Sequence, residues 1–235
     1  MNRYHLEILK EIKKESKRKP FYYSLPKFYS GHNDFSYPLN SPSKRKIIKE
    51  WIKKHPNLLY AEFDELLNSL YQGRSATEKS IAGKLIGYLS QLRKQIPPNS
   101  VDKWLENLKG WAQVDSLCQS NFSAGNLLSD WDNWKEMIQK LARDKSSGKR
   151  RASLVLLTKP VRDSKDTQLA HLAFETIDSL KNEKEILITK AISWLLRDLI
   201  RNHRQLVKEY LEKNQNNLPK IALRETRNKL LTGKK

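Results

Sequence analysis

A chain of 235 residues with 45 Lys and Arg against 26 Asp and Glu carries a formal net charge of +19, and its basic residues run the whole length. That balance implies a polyanionic partner, nucleic acid ahead of an anionic membrane, met by the surface of a folded body rather than by a basic tail. The one cysteine, Cys118, excludes a disulfide framework and a cysteine-held zinc or iron–sulfur site, and no apolar run approaches the roughly 20 residues of a membrane span.

Residues 1–19 predict a basic amphipathic helix through Tyr4, Ile8, Leu9 and Ile12. Glu7, Glu11 and Glu15 set it apart from an acid-poor mitochondrial presequence, and no secretory signal is visible, so a cytoplasmic location is expected. Residues 20–44, rich in Tyr, Ser, Pro and Asn, read as a loop-broken section, making 1–44 an irregular N-terminal part of a single domain over 1–235. Helical periodicity then takes over. It runs through Ile47, Trp51 and Ile52; Leu58 to Leu70; Ile81 to Leu92; Val101, Leu105 and Leu108; and Trp134, Ile138 and Leu141. Leu154–Leu157 is apolar enough to be buried all round, and stripes at 169–177, 186–200, 206–211 and 221–230 complete the chain. Pro56, Gly73, Pro97-Pro98, Gly110, Ser146-Ser147-Gly148 and Pro219 punctuate them, and Ser75-x-x-Glu78 and Asn182-x-x-Glu185 read as helix N-caps. The pattern predicts an all-α chain of about ten to twelve helices whose pairs recur at roughly 35–40 residues, an α-solenoid of HEAT-like repeats with a concave basic surface.

Three residues stand out against this frame. The buried stripe around Trp194 is Ile188, Ala191, Ile192, Leu195 and Leu199, and Trp194 lies about 120° from its centre, on a face shared with Lys190, Arg197 and Arg201. A tryptophan there either stacks on a base or sugar while its basic neighbours hold phosphates, or packs against the next helix. Asp115 follows Trp111 by four residues. An unbroken helix from Val101 would place it on the apolar seam of Trp104, Leu108 and Trp111. Alternatively Gly110 ends that helix and Asp115 lies early in the next, where the dipole stabilises an acid. The functional reading is a carboxylate held beside Trp111 to stabilise a developing cation. Arg151, at the entry to Leu154–Leu157, either donates to a phosphate while its stem packs on the core or is a solvated helix end. The histidines (His5, His32, His55, His171 and His203) show no metal-ligand spacing. With neither a phosphate-binding glycine loop nor a nucleophilic triad, no metal and no cofactor are expected.

In order along the chain, Asn40-Ser41-Pro42-Ser43-Lys44-Arg45, Trp111-x-x-Val114-Asp115-Ser116, Arg151-Ala152-x-x-Val155-Leu156, Lys190-Ala191-Ile192-x-Trp194-x-Leu196-Arg197 and Arg224-Glu225 resemble the AlkD-type DNA alkylation repair glycosylases, a HEAT-like-repeat family. The resemblance implies that Trp111 and Trp194 are cleft tryptophans contacting the damaged nucleotide. It makes Asp115 the catalytic aspartate, Arg151 a phosphate-contacting arginine and Tyr29 an aromatic beside the lesion. Lys190, Arg197 and Arg201 would join the grip on the backbone. Gly110, Ala112 and Gly148 depart from the family's pattern around the first tryptophan and the arginine. The implied activity is hydrolysis of the N-glycosidic bond of cationic alkylated bases, 3-methyladenine and 7-methylguanine, in duplex DNA by a monomer. The alternative is a HEAT-like protein that binds damaged or branched DNA without catalysis.

Overall fold

The computed structural model describes residues 1–17 and 35–234, and among them the chain is helical with no strand. Thirteen helices are described: α1 (Arg3–Lys17), α2 (Ser41–Lys54), α3 (Tyr60–Tyr71), α4 (Ala76–Tyr88), the single turn α5 (Ser90–Arg93), α6 (Pro98–Leu105), α7 (Gly110–Cys118), the short α8 (Ala124–Leu128), α9 (Trp131–Ala142), α10 (Ser147–Asp163), α11 (Thr167–Leu180), α12 (Ile186–Asn214) and α13 (Lys220–Thr232). The all-α class read from periodicity is the class observed.

Local sequence explains where many of these helices begin. Ser75 and Glu78 form the expected capping box, the Glu78 carboxylate accepting the Ser75 N–H at 2.8 Å while the Ser75 hydroxyl accepts the Glu78 N–H. Asn40 caps α2 through the Ser43 N–H at 2.9 Å, with a proline in the first helical positions. Ser123, Ser146 and Asp166 do the same for α8, α10 and α11. Asn182 does not follow its reading as a cap: it lies in the turn before α12, whose cap position is Glu185, with no side-chain cap bond. The 29 residues of α12 contain one non-helical residue, His203 (φ −130°, ψ 38°), so the element is two helical segments meeting at a kink. The break falls between the two apolar stripes read from the sequence.

The chain forms two compact units, Met1–Leu117 and Cys118–Lys235. In the first, α1 packs on α2 and α3 on α4, while α1 also packs on α3 and α2 on α4. Its core gathers Ile8, Ile12, Ile48, Phe63, Leu66, Leu67, Leu70, Ile81 and Leu85. In the second, α9 pairs with α10 and α11 with α12, while α9 stacks on α11 and α10 on α12, and α13 covers α12. First helices stacked on first and second on second is the packing of helical repeats, in which each pair buries the apolar face that its neighbour cannot bury alone. Leu154, Val155, Leu156 and Leu157 of α10 are all fully buried, since α9, α11 and α12 surround that helix. No helix of the described residues is long and apolar enough to cross a membrane.

Candidate active site

In the first unit the site residues stand on α7. The preceding helix, α6, ends at Leu105, and the chain turns through residues 106–109 before Gly110 opens α7 with φ at +69°. Gly110 therefore starts the second helix instead of ending the first, a conformation that a side chain would strain. The Gln113 amide oxygen accepts the Lys109 N–H at 2.9 Å and closes the turn. Asp115 is the sixth of the nine residues of α7, past the first turn where the dipole acts, so a helix-start role does not explain it. It is only 9% exposed, and half-buried Trp111 lies one turn before it on the same face of the helix.

The placement of α7 depends on Gly83 in α4. A Cβ built on Gly83 would stand 2.2 Å from the Ser116 carbonyl oxygen and 2.7 Å from its hydroxyl. The two helices cross with backbone against backbone, beside Asp115, and only glycine permits that approach. Trp104 of α6 behaves as the packing tryptophan its stripe predicted: it is buried, stacked on Tyr71 at 5.0 Å, and its indole N–H donates to the Asn68 amide oxygen at 2.8 Å.

In the second unit the candidates stand on α10 and α12. Arg151 is 7% exposed and its Nη1 donates to the Leu187 carbonyl in the first turn of α12 at 2.5 Å. It is an interhelical tie, and the solvated-helix-end reading falls with its burial. On α12 the stripe Ile188, Ala191, Ile192, Leu195 and Leu199 is fully buried, as the helical arithmetic requires. Trp194 is half-buried, and Lys190 and Arg201 on its side of the helix are exposed. Arg197 departs from the expected open basic face. It is 8% exposed, its Nε donates to the Ser193 carbonyl at 3.1 Å, and its Nη2 stands 3.4 Å from the Glu225 carboxylate of α13, which also accepts the Ser193 hydroxyl at 2.6 Å. Tyr29 lies outside the described residues.

A carboxylate that sequence reasoning passed over organises this cluster. Asp198 follows Trp194 by one turn of α12, and Arg162 of α10 donates to its carboxylate at 3.3 Å. Burial pushes the Asp198 carboxyl above its ordinary range, against the opposing pull of Arg162, Lys229, the Trp194 indole and Arg197. The four-residue spacing from Trp194 was the available signal, since it puts both side chains on one face of α12.

The sequence model of the DNA alkylation repair enzyme family matches residues 8–230. The chain belongs to that family. No curated protein matches it. Among solved structures it is similar to a predicted DNA alkylation repair enzyme from Enterococcus faecalis, with a TM-score of 0.70 and 18% identity, over 88% of this chain and 93% of the other. At that identity the likeness carries the fold, and it is the helical-repeat fold described above.

Proposed function

We propose that this DNA alkylation repair enzyme is a DNA-alkylpurine N-glycosylase acting on cationic bases such as 3-methyladenine and 7-methylguanine in duplex DNA. The observation that carries the reading is α7, where a buried carboxylate, Asp115, and a half-buried tryptophan, Trp111, share one helix face in a member of an alkylation repair family. The charge of +19 supports DNA as the partner.

The chemistry follows from the substrate. Alkylation at a ring nitrogen makes the base cationic, so it leaves as a neutral molecule without a general acid to protonate it. As the C1′–N bond breaks, its electron pair goes to the base and positive charge moves onto the deoxyribose. Asp115, held in a largely desolvated position, stabilises that charge and orients the attacking water, whose proton it accepts. Trp111, one turn before Asp115 on α7, presents the negative face of its ring to the cationic nucleotide, and Trp194 is the second unit's own candidate for an aromatic contact with the DNA. Lys190 and Arg201 are the exposed cations for the phosphate backbone, Arg151 acts on it from its anchored position on α10, and Arg197, engaged with Glu225, supports α12 from within.

Incubation of the protein with methylated duplex DNA, followed by chromatography of the released bases, tests this. Free 3-methyladenine or 7-methylguanine is the expected product. DNA retained at low salt with no base released would replace the enzyme by a non-catalytic binder of damaged DNA.

A further inference from the structure

Among the described residues, several cations meet a carboxylate from another part of the chain. Arg150 pairs with Glu183 at 2.6 Å, Arg162 with Asp198 at 3.3 Å and Arg197 with Glu225 at 3.4 Å. One cluster in the first unit does not. Lys44 stands in the first turn of α2, half-buried, and its ammonium reaches the Ser80 hydroxyl of α4 at 3.4 Å. Lys84, also half-buried, follows Ser80 by one turn on α4, and exposed Arg45 stands beside Lys44. Among the described residues no carboxylate lies within ion-pair distance of Lys44, Arg45 or Lys84.

This arrangement costs the folded chain free energy. Burial, and then the neighbouring Lys84, push the Lys44 ammonium down to about 8, and burial with Arg45 lowers Lys84 in turn. Two ammoniums half withdrawn from water and mutually repelling, of which Lys44 reaches a hydroxyl at long range, lack an anion. A phosphate oxygen supplies what they lack: a negative charge for both ammoniums and an acceptor for the serine hydroxyl. Lysine and serine side chains are among the groups that hold DNA phosphates.

We infer that Lys44 on α2, with Lys84 and Ser80 on α4, forms a binding site for one backbone phosphate of duplex DNA. The site rests on the DNA-binding reading of the proposed function and adds to it a phosphate contact from the first unit, where no cation was singled out from the sequence.

The test uses the full chain and two readouts. In the first, duplex affinity is followed by fluorescence anisotropy across a salt series for the parental protein and for the K44Q/K84Q double variant. Losing one phosphate contact makes the slope of log K against log salt shallower by about 0.9. Removing two repelling, half-buried ammoniums leaves the melting temperature unchanged or raised, so weaker binding cannot be assigned to unfolding. In the second, an amine-directed reagent at pH 8 is followed residue by residue by mass spectrometry. Lys44 should label ahead of the exposed lysines, and duplex DNA should protect it. A double variant with the parental salt slope, or Lys44 unprotected in the complex, overturns this site and leaves the glycosylase reading standing. Protection by inorganic phosphate with none by duplex assigns the cluster to a free anion and overturns the DNA assignment. A parental protein that binds no duplex at low salt overturns both readings together.

Discussion

Arg162 of α10 donates to the carboxylate of Asp198 on α12 at 3.3 Å, and Asp198 stands one turn beyond Trp194 on the same face of that helix. The pair ties α10 to α12 on the side of the helix that carries Trp194. Trp194→Ala should therefore reduce base release more than it reduces stability, since the ring is half-buried and its side of the helix carries Lys190 and Arg201. Trp104→Ala is the control: that ring is buried and stacked on Tyr71, and its loss should cost about 3–5 kcal/mol by denaturant unfolding. A comparable loss at Trp194 would assign that ring to packing.

The same carboxylate predicts a pH dependence. Asp198 titrates above its ordinary value of 3.8 in the folded chain, chiefly through burial. Between the two values the folded state therefore holds more protons than the unfolded chain. Its stability contribution is complete below 3.8 and is lost as pH rises through the folded value. Asp198→Asn has no such proton to lose, so its melting temperature, measured from pH 3 upward, should lack that descending part. Parallel curves for the two proteins would remove the assignment.

Gly83 carries a prediction of a different kind. Its substitution by alanine forces a Cβ against the Ser116 backbone, so α7 must move and carry Asp115 and Trp111 with it. Gly83→Ala should lower both the melting temperature and the rate of base release. Gly125→Ala, where the nearest foreign atom is 3.8 Å away, should be neutral or slightly stabilising because alanine is the better helix former. An active Gly83→Ala protein of normal stability would show that this crossing does not set the site.

These residues mark where legibility in the sequence ends. Stripes such as Leu154–Leu157 and the gap at His203 were readable because helical burial and its interruption repeat along the chain itself. Ser75 and Glu78 were readable because both partners of a capping box lie within four residues. Gly83 was not, because the reason for a glycine there is the backbone of Ser116, far away in sequence. The helical angle of Arg197 was correctly placed with Trp194, but its burial comes from Glu225 on another helix, which no periodicity encodes. Asp115 was located, yet its standing turned on whether the chain restarts at Gly110, a matter of one backbone dihedral.

Arg151 holds the Leu187 carbonyl from within the fold, so Arg151→Ala should lower stability by about 1–3 kcal/mol through the unsatisfied acceptor, in addition to any loss of DNA affinity. Arg151→Lys separates the two effects: a single ammonium can keep the carbonyl bond but cannot also present a fork to a phosphate. Stability near the parental value with weakened duplex binding in Arg151→Lys is the expected result by unfolding and anisotropy. Parental binding in both variants would confine Arg151 to structure.

Asp115→Asn is the sharpest test of the chemistry. The amide keeps the size of the side chain and most of its hydrogen-bonding reach while removing the charge. If Asp115 faces the developing cation, the protein should bind methylated duplex as before and release 7-methylguanine about a hundred- to a thousand-fold more slowly, the usual cost of one well-placed electrostatic contact. That loss should fall on the single-turnover rate with saturating enzyme, since ground-state binding is untouched. A carboxylate buried to 9% exposure for structural reasons alone predicts the reverse pattern: a lowered melting temperature and a normal rate for the fraction that stays folded. Melting temperature and single-turnover rate, measured on the same preparation, therefore move in different combinations under the two assignments. A stable Asp115→Asn protein that excises at the parental rate would end the catalytic reading of α7.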